Sequence, residues 1–179
     1  MAHFAVTAVG ADRPGIVAAV TRAFVEHGCN LEDCSMTILR GQFAMMLVVD
    51  AAPEVGAADL ESALAGPAAQ LDLVVTVRAI AEPPVPAGEP PASWTLSVYG
   101  ADHPGIVHGV AALLAARGVN IVDLSTRVAG EPGNPVYAMV LEIAVPPEVH
   151  PHHLQAELEA KAGELGVTCR LHPSEADIL

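Results

Sequence analysis

Apolar and polar positions fall into the same succession of runs twice along the chain. Phe4 to Val9 alternates weakly and is closed by Gly10, a strand pattern. From Pro14 the apolar residues Ile16, Val17, Val20, Ala23 and Phe24 recur at helical spacing and stop at His27-Gly28, glycine being a common helix terminator. Cys29 to Leu39 and Phe43 to Val49 are rich in strand formers and meet at a hairpin, Arg40-Gly41-Gln42. Phe43 to Val49 is apolar at every position, which predicts a central strand covered on both faces. Ala57 to Ala69 holds Leu60 and Leu64 in helical register, but Gly66-Pro67 predicts a kink or an end near Ala65, since proline removes a hydrogen bond and crowds the preceding turn. Leu71 to Ile80 then alternates as a last strand, so the order is βαββαβ.

The second half repeats that order. Trp94 to Tyr99 predicts a strand, Pro104 to Arg117 a helix stopped by Gly118, Val119 to Val128 and Val136 to Val145 two strands, Pro151 to Glu164 a helix and Val167 to Leu171 a strand. Gly10-Ala11-Asp12-Arg13-Pro14-Gly15-Ile16-Val17 returns as Gly100-Ala101-Asp102-His103-Pro104-Gly105-Ile106-Val107. Up to Ser35 and Ser125 the offset is ninety; from Ala44 and Ala138 onward it is ninety-four, so four residues are inserted at the hairpin around Gly130 to Pro135. Insertions belong at loop tips, which supports that turn. A period this long marks a duplicated domain rather than a solenoid. The expected division is a first domain over 1–81, a stiff proline-rich linker over 82–92, a second domain over 93–172 and a C-terminal tail over 173–179.

The repeated octapeptide has its own chemistry. Pro14 and Pro104 suit the first helical position, where a missing N–H costs nothing. Gly15 and Gly105 lack a Cβ, which lets a small molecule or packed backbone approach the first-turn amides. Asp12 and Asp102 stand where a carboxylate either caps those amides or meets a cation. A helix start with open amides is an anion site by default.

Composition narrows the function. The formal charge is −13 with one lysine, Lys161, and seven scattered arginines, leaving no basic face for phosphates, so direct nucleic-acid binding is not expected. The start of the chain is not a signal peptide and no apolar run approaches eighteen residues; a soluble, cytoplasmic protein without membrane contact is expected. Three cysteines are too few for a disulfide framework; Cys29 and Cys34, five apart in one strand, point to opposite faces, and buried free thiols are the expectation. His150-Pro151-His152-His153 could ligate a metal, but no further ligand motif accompanies it, so no metal and no other cofactor is expected. Ser35 and Ser125 lie in no nucleophile elbow and Gly130 to Gly133 lacks the lysine of a phosphate loop, so the reading is non-enzymatic.

The strand, the Gly-x-Asp-x-Pro-Gly-Ile-Val helix start, the following Gly-x-Asn-[Leu/Ile] and the βαββαβ order resemble the ACT domain, a small amino-acid-sensing module, twice over, in residues 3–81 and 93–172. The resemblance implies an α+β fold of two ferredoxin-like βαββαβ domains with antiparallel sheets. A chain that is little more than two such domains is similar to the glycine cleavage system transcriptional repressor group. That likeness implies a non-enzymatic, amino-acid-responsive regulator acting through contact with a protein such as a transcription activator. It also implies two half-sites: Asp12, Gly15, Ile16, Asn30 and Leu31, and Asp102, Gly105, Ile106, Asn120 and Ile121. Asn30 and Asn120 could equally bond only to turn backbone. The small residues Ala11, Gly15 and Ala18 point to a small ligand such as glycine or serine, and domain interfaces imply a homodimer. The alternatives are a subunit conferring feedback on a metabolic enzyme, or an interaction module that has lost its ligand.

Overall fold

Alternation in the strands and helical stripes between them build two units of the predicted order, Met1–Val85 and Pro86–Leu179, in a computed structural model that describes residues 2–81, 92–131 and 134–174. The first unit runs β1 (Ala2–Ala11), α1 (Ile16–Glu26), β2 (Asn30–Leu39), β3 (Gln42–Ala51), α2 (Ala57–Leu71) and β4 (Leu73–Ile80). The second runs β5 (Ala92–Ala101), α3 (Ile106–Ala116), β6 (Asn120–Glu131), β7 (Asn134–Val145), α4 (Pro151–Glu164) and β8 (Val167–Pro173). Each sheet is four-stranded and antiparallel, in the orders β2-β3-β1-β4 and β6-β7-β5-β8. This is the α+β, ferredoxin-like arrangement expected of two ACT-type domains. The linker expectation falls on residues outside the described ones, apart from Ala92, which opens β5. At the other end β8 continues to Pro173, and Ser174 N–H donates to the Ser93 carbonyl at 3.1 Å.

Each unit has its own core. In the first, Phe4, Val6 and Ala8 of β1 and Phe43, Met45, Leu47 and Val49 of β3 face Ile16, Val20 and Phe24 of α1 and Leu60 and Leu64 of α2. In the second, Leu96, Val98, Met139, Leu141 and Ile143 meet Ile106, Val110, Leu114, Leu154 and Leu158. Burying each such side chain contributes about 1.5–3 kcal/mol. β3 and β7 are central, as predicted, but the helices cover one face only: Met46 is 53% and Val140 39% exposed. Every residue of β2 is exposed, including Leu31, Met36 and Ile38, whose register partners Val49, Met45 and Phe43 are core residues.

Three local expectations are corrected. α1 and α3 begin at Ile16 and Ile106, not at Pro14 and Pro104. Gly15 (φ 95°, ψ −7°) and Gly105 (φ 102°, ψ −12°) are left-handed, which no right-handed helix admits; proline followed by glycine with these angles is the pattern of a type II turn. Pro151, by contrast, does open α4. α2 runs unbroken through Pro67 to Leu71, displacing the predicted start of β4 by two residues, with Asp72 left-handed between them. Gly66 has no Cβ to crowd the proline ring, and Leu60 and Leu64, 0% and 1% exposed, hold the helix on the core. Finally, Cys29 precedes β2, Cys34 is exposed, and a bulge at Glu32 breaks the parity on which their opposite facing rested; only Cys169 is fully buried.

Gly10 and Gly100 set how closely the outer strand approaches. A Cβ on Gly100 would stand 2.6 Å from Val167 Cγ1 and 3.0 Å from its Cα. Gly100→Ala should therefore cost about 1–3 kcal/mol by overpacking. Gly163→Ala, in α4 with nothing within 4 Å, should stabilise by roughly 0.5–1 kcal/mol. Thermal melts of the two variants should shift in opposite directions.

Candidate functional site

The turn between β1 and α1 is held from behind and open in front. Asp12 N–H donates to the Gly41 carbonyl of the β2–β3 hairpin at 2.9 Å, and the Ala19 N–H to Gly15 carbonyl bond, 2.9 Å, is the first of the helix. The amides of Ile16, Val17 and Ala18 therefore lack a helical acceptor, and no side chain caps them. Gly109 N–H to Gly105 carbonyl, 2.8 Å, repeats the arrangement in the second unit and leaves the amides of Ile106, Val107 and His108 without an acceptor among the described residues. Asp12 and Asp102 are exposed, and neither serves as the helix cap that was one of their two readings. No acid lies in either first turn. Gly15 and Gly105 have nothing within 4 Å of a would-be Cβ, so they serve backbone conformation rather than tight packing. Ile16 and Ile106, 1% and 2% exposed, are core residues and can offer a ligand only their backbone.

Asn30, Leu31, Asn120 and Ile121 stand elsewhere. Asn30 pairs with Asp50 and Leu31 with Val49; Asn120 pairs with Ala144 and Ile121 with Ile143. Asp12 is tied to Gly41, nine residues along β3 and its turn from Asp50. At about 3.3 Å per residue that separation is about 30 Å. Each unit brings Asp12, Gly15 and Ile16 (or Asp102, Gly105 and Ile106) to one end of its sheet and the asparagine with its neighbour to the other. Within one unit the five residues of a half-site do not converge.

Two findings decide what these units are. The ACT domain pattern matches residues 2–78 and again residues 94–160. The chain belongs to the ACT-domain family. It is 34% identical over 125 residues to the glycine cleavage system transcriptional repressor of Escherichia coli (strain K12), covering 70% of this chain and 64% of that protein, so it spans under two thirds of that relative's length. A UPF0237 protein of Methanopyrus kandleri is 52% identical over 50 residues, 28% of this chain and 56% of that one. A crystal structure of an unknown protein from Galdieria sulphuraria aligns with 97% of this chain and 99% of its own, at 30% identity and a TM-score of 0.79.

The two ACT domains differ at their turns. His103 stands where the first domain has Arg13, and its Nδ1 lies 3.0 Å from the Pro104 carbonyl and its Nε2 2.6 Å from that of Leu165. Both partners only accept, so both ring nitrogens donate together only in the imidazolium form. The Pro104 carbonyl first, then that of Leu165, raises the imidazole pKa; Asp102 adds to this and desolvation opposes it. Leu165 also closes α4, where the helix end favours a cation. His103 thus fastens the second turn to α4.

Other candidates resolve simply. His150 precedes α4 and His152 and His153 lie in its first turn, with ring centroids 5.8 Å (His150–His153) and 6.3 Å (His152–His153) apart. Among the described residues no group of three or more His, Cys, Asp or Glu could hold a metal ion. Glu157 receives both Arg117 Nε and Nη2, tying the end of α3 to α4. Burial first, and then Glu159, pushes the Cys169 thiol up, which makes it unreactive.

One residue escaped sequence reasoning. Asp50, 7% exposed, ends the apolar run of β3, and its Oδ1 is buried without a hydrogen-bond partner among the described residues. A lone acid closing an otherwise apolar central strand was the available signal.

The His103 clasp makes a pH prediction. A raised folded-state pKa means its contribution is complete below the ordinary imidazole value and is lost as pH rises through the folded value. The thermal midpoint of the wild type relative to His103→Gln should therefore be higher in mild acid, and the gap should close on passing to alkaline pH.

Proposed function

We propose that this chain is a non-enzymatic regulator of the glycine cleavage repressor type, which binds a small amino acid and acts through contact with a protein such as a transcription activator. The observation that carries the reading is the pair of uncapped helix starts, exposed and free of acids, in two ACT domains. Three amides without a helical acceptor at one helix start favour a carboxylate, and the positive helix end adds to them. Asn30 and Asn120 supply carbonyl oxygens for an ammonium group, at the other end of each sheet. No free amino acid spans the distance between these ends, so the two ends of one unit do not close on the same ligand.

Further support comes from the E. coli repressor, similar over 70% of this chain. The net charge of −13 fits a protein partner better than a phosphate backbone. No described helix is long and apolar enough to cross a membrane. We place the two ACT domains in residues 1–81 and 93–172, joined by 82–92 and followed by a tail from 173, in a cytoplasmic homodimer. Ala11, Gly15 and Ala18 leave little bulk beside the helix start, which favours glycine or serine.

Ligand that prefers one arrangement of the protein shifts its population, and with it the surface offered to the partner. Thermal melts against the twenty amino acids at millimolar concentration test this. A ligand at a hundred times its Kd stabilises by about 2.7 kcal/mol, a shift of several degrees for domains of this size. A selective shift that Asn30→Ala or Asn120→Ala abolishes is expected; a flat panel removes the amino acid from the mechanism.

A further inference from the structure

Asp50 lies on the middle strand of three at the Asn30 end of the first sheet. Its register partners are His3 on β1 and Asn30 on β2. Glu32, the extra residue of the β2 bulge, lies 3.3 Å through Oε2 from His3 Nδ1, so that contact reaches from β1 to β2 across the strand that carries Asp50. His3 is 17% and Glu32 41% exposed at the side chain, whereas Asp50 is covered. A buried carboxylate oxygen that accepts nothing is costly, and native structures keep few of them without a reason. Bulges are over-represented beside functional sites, where they re-aim a side chain.

We infer that Asp50, Glu32 and Asn30 form the ammonium-recognising end of the amino-acid site in the first domain, with His3 as the cover that a ligand displaces. The assignment rests on the amino-acid reading above. An ammonium group has three N–H donors and no acceptor, and this end offers a carboxylate, a second carboxylate and an amide carbonyl. The second domain keeps Asn120 and the bulge but has Ser93, Val122 and Ala144 where the first has His3, Glu32 and Asp50. The nearest acid on β7, Glu142, already accepts from Ser93 Oγ at 2.9 Å. Only the first domain therefore has the acidic set, and its asparagine end is the stronger ammonium site.

Calorimetric titration of the full chain with glycine, L-serine and N-acetylglycine, which keeps the carboxylate and loses the ammonium, tests this. The wild type should prefer the free amino acids. Asp50→Asn should bind them at least tenfold more weakly, lose the preference over N-acetylglycine, and melt no lower than wild type, because a neutral amide replaces an unpartnered buried charge. Glu32→Gln, at an exposed position that cannot disturb the core, should weaken binding several-fold. Folded variants that bind glycine and serine like the wild type overturn the assignment and leave the regulator reading standing. A wild type that binds neither, while another member of the twenty shifts its melt, overturns the choice of ligand and moves the same variants to that amino acid. A wild type that binds none overturns both.

Discussion

A strand, a helix and a second strand running the same way cannot place the helix start beside the second strand's start. β1 and β2 both run antiparallel to β3, so α1 must carry the chain back along the sheet before β2 begins. The turn at Gly15 and the bulge after Leu31 are thereby fixed at opposite ends, and the same holds for Gly105 and Ile121. One end offers backbone donors made available by a left-handed glycine. The other offers side-chain acceptors displayed on a pleated strand. A ligand with a carboxylate and an ammonium needs both kinds, and the topology keeps them apart within every unit.

Much of this was legible before any coordinates. Alternation in Phe4 to Val9 and the stripe through Ile16, Val20 and Phe24 give β1 and α1 because each pattern has one apolar face to bury. The offset of ninety turning to ninety-four predicts a longer second hairpin, and β6 and β7 are indeed twelve residues each against ten in β2 and β3. The βαββαβ order already implies that Asp12 and Asn30 are far apart. The family resemblance gathered them into one half-site because it groups residues by ligand, not by the domain that supplies them.

What was not legible has local physical causes. Pro-Gly reads either as a helix start or as a type II turn, and only the positive φ of Gly15 separates the two. Pro67 is tolerated because packing of Leu60 and Leu64 outweighs a propensity term, which no local rule weighs. Glu32 and Val122 are bulged without any mark in their residue type, and a bulge shifts the facing of every residue before it relative to those after. Asp50 was visible as an acid but not as a buried one. It lies between strands from distant parts of the chain, with His3 and Asn30 as its register partners.

The duplicated domains have diverged in a consistent way. At the helix-start end, the exchange of Arg13 for His103 replaces a guanidinium with an imidazole held between two carbonyls, beside first-turn amides that have no helical acceptor in either domain. At the asparagine end, the first domain has gained or kept Asp50 and Glu32 while the second has uncharged residues in their place. The cores differ by exchanges of one buried side chain for another: Ile16, Val20 and Leu47 have Ile106, Val110 and Leu141 as counterparts, while Ala8, Phe24 and Phe43 have Val98, Leu114 and Tyr137. The differences at the two ends of the sheet are not of that kind, because packing acts on buried volume and these positions surround open amides and a strand edge. They mark the two ends of each sheet as surfaces at which the two domains have become unlike.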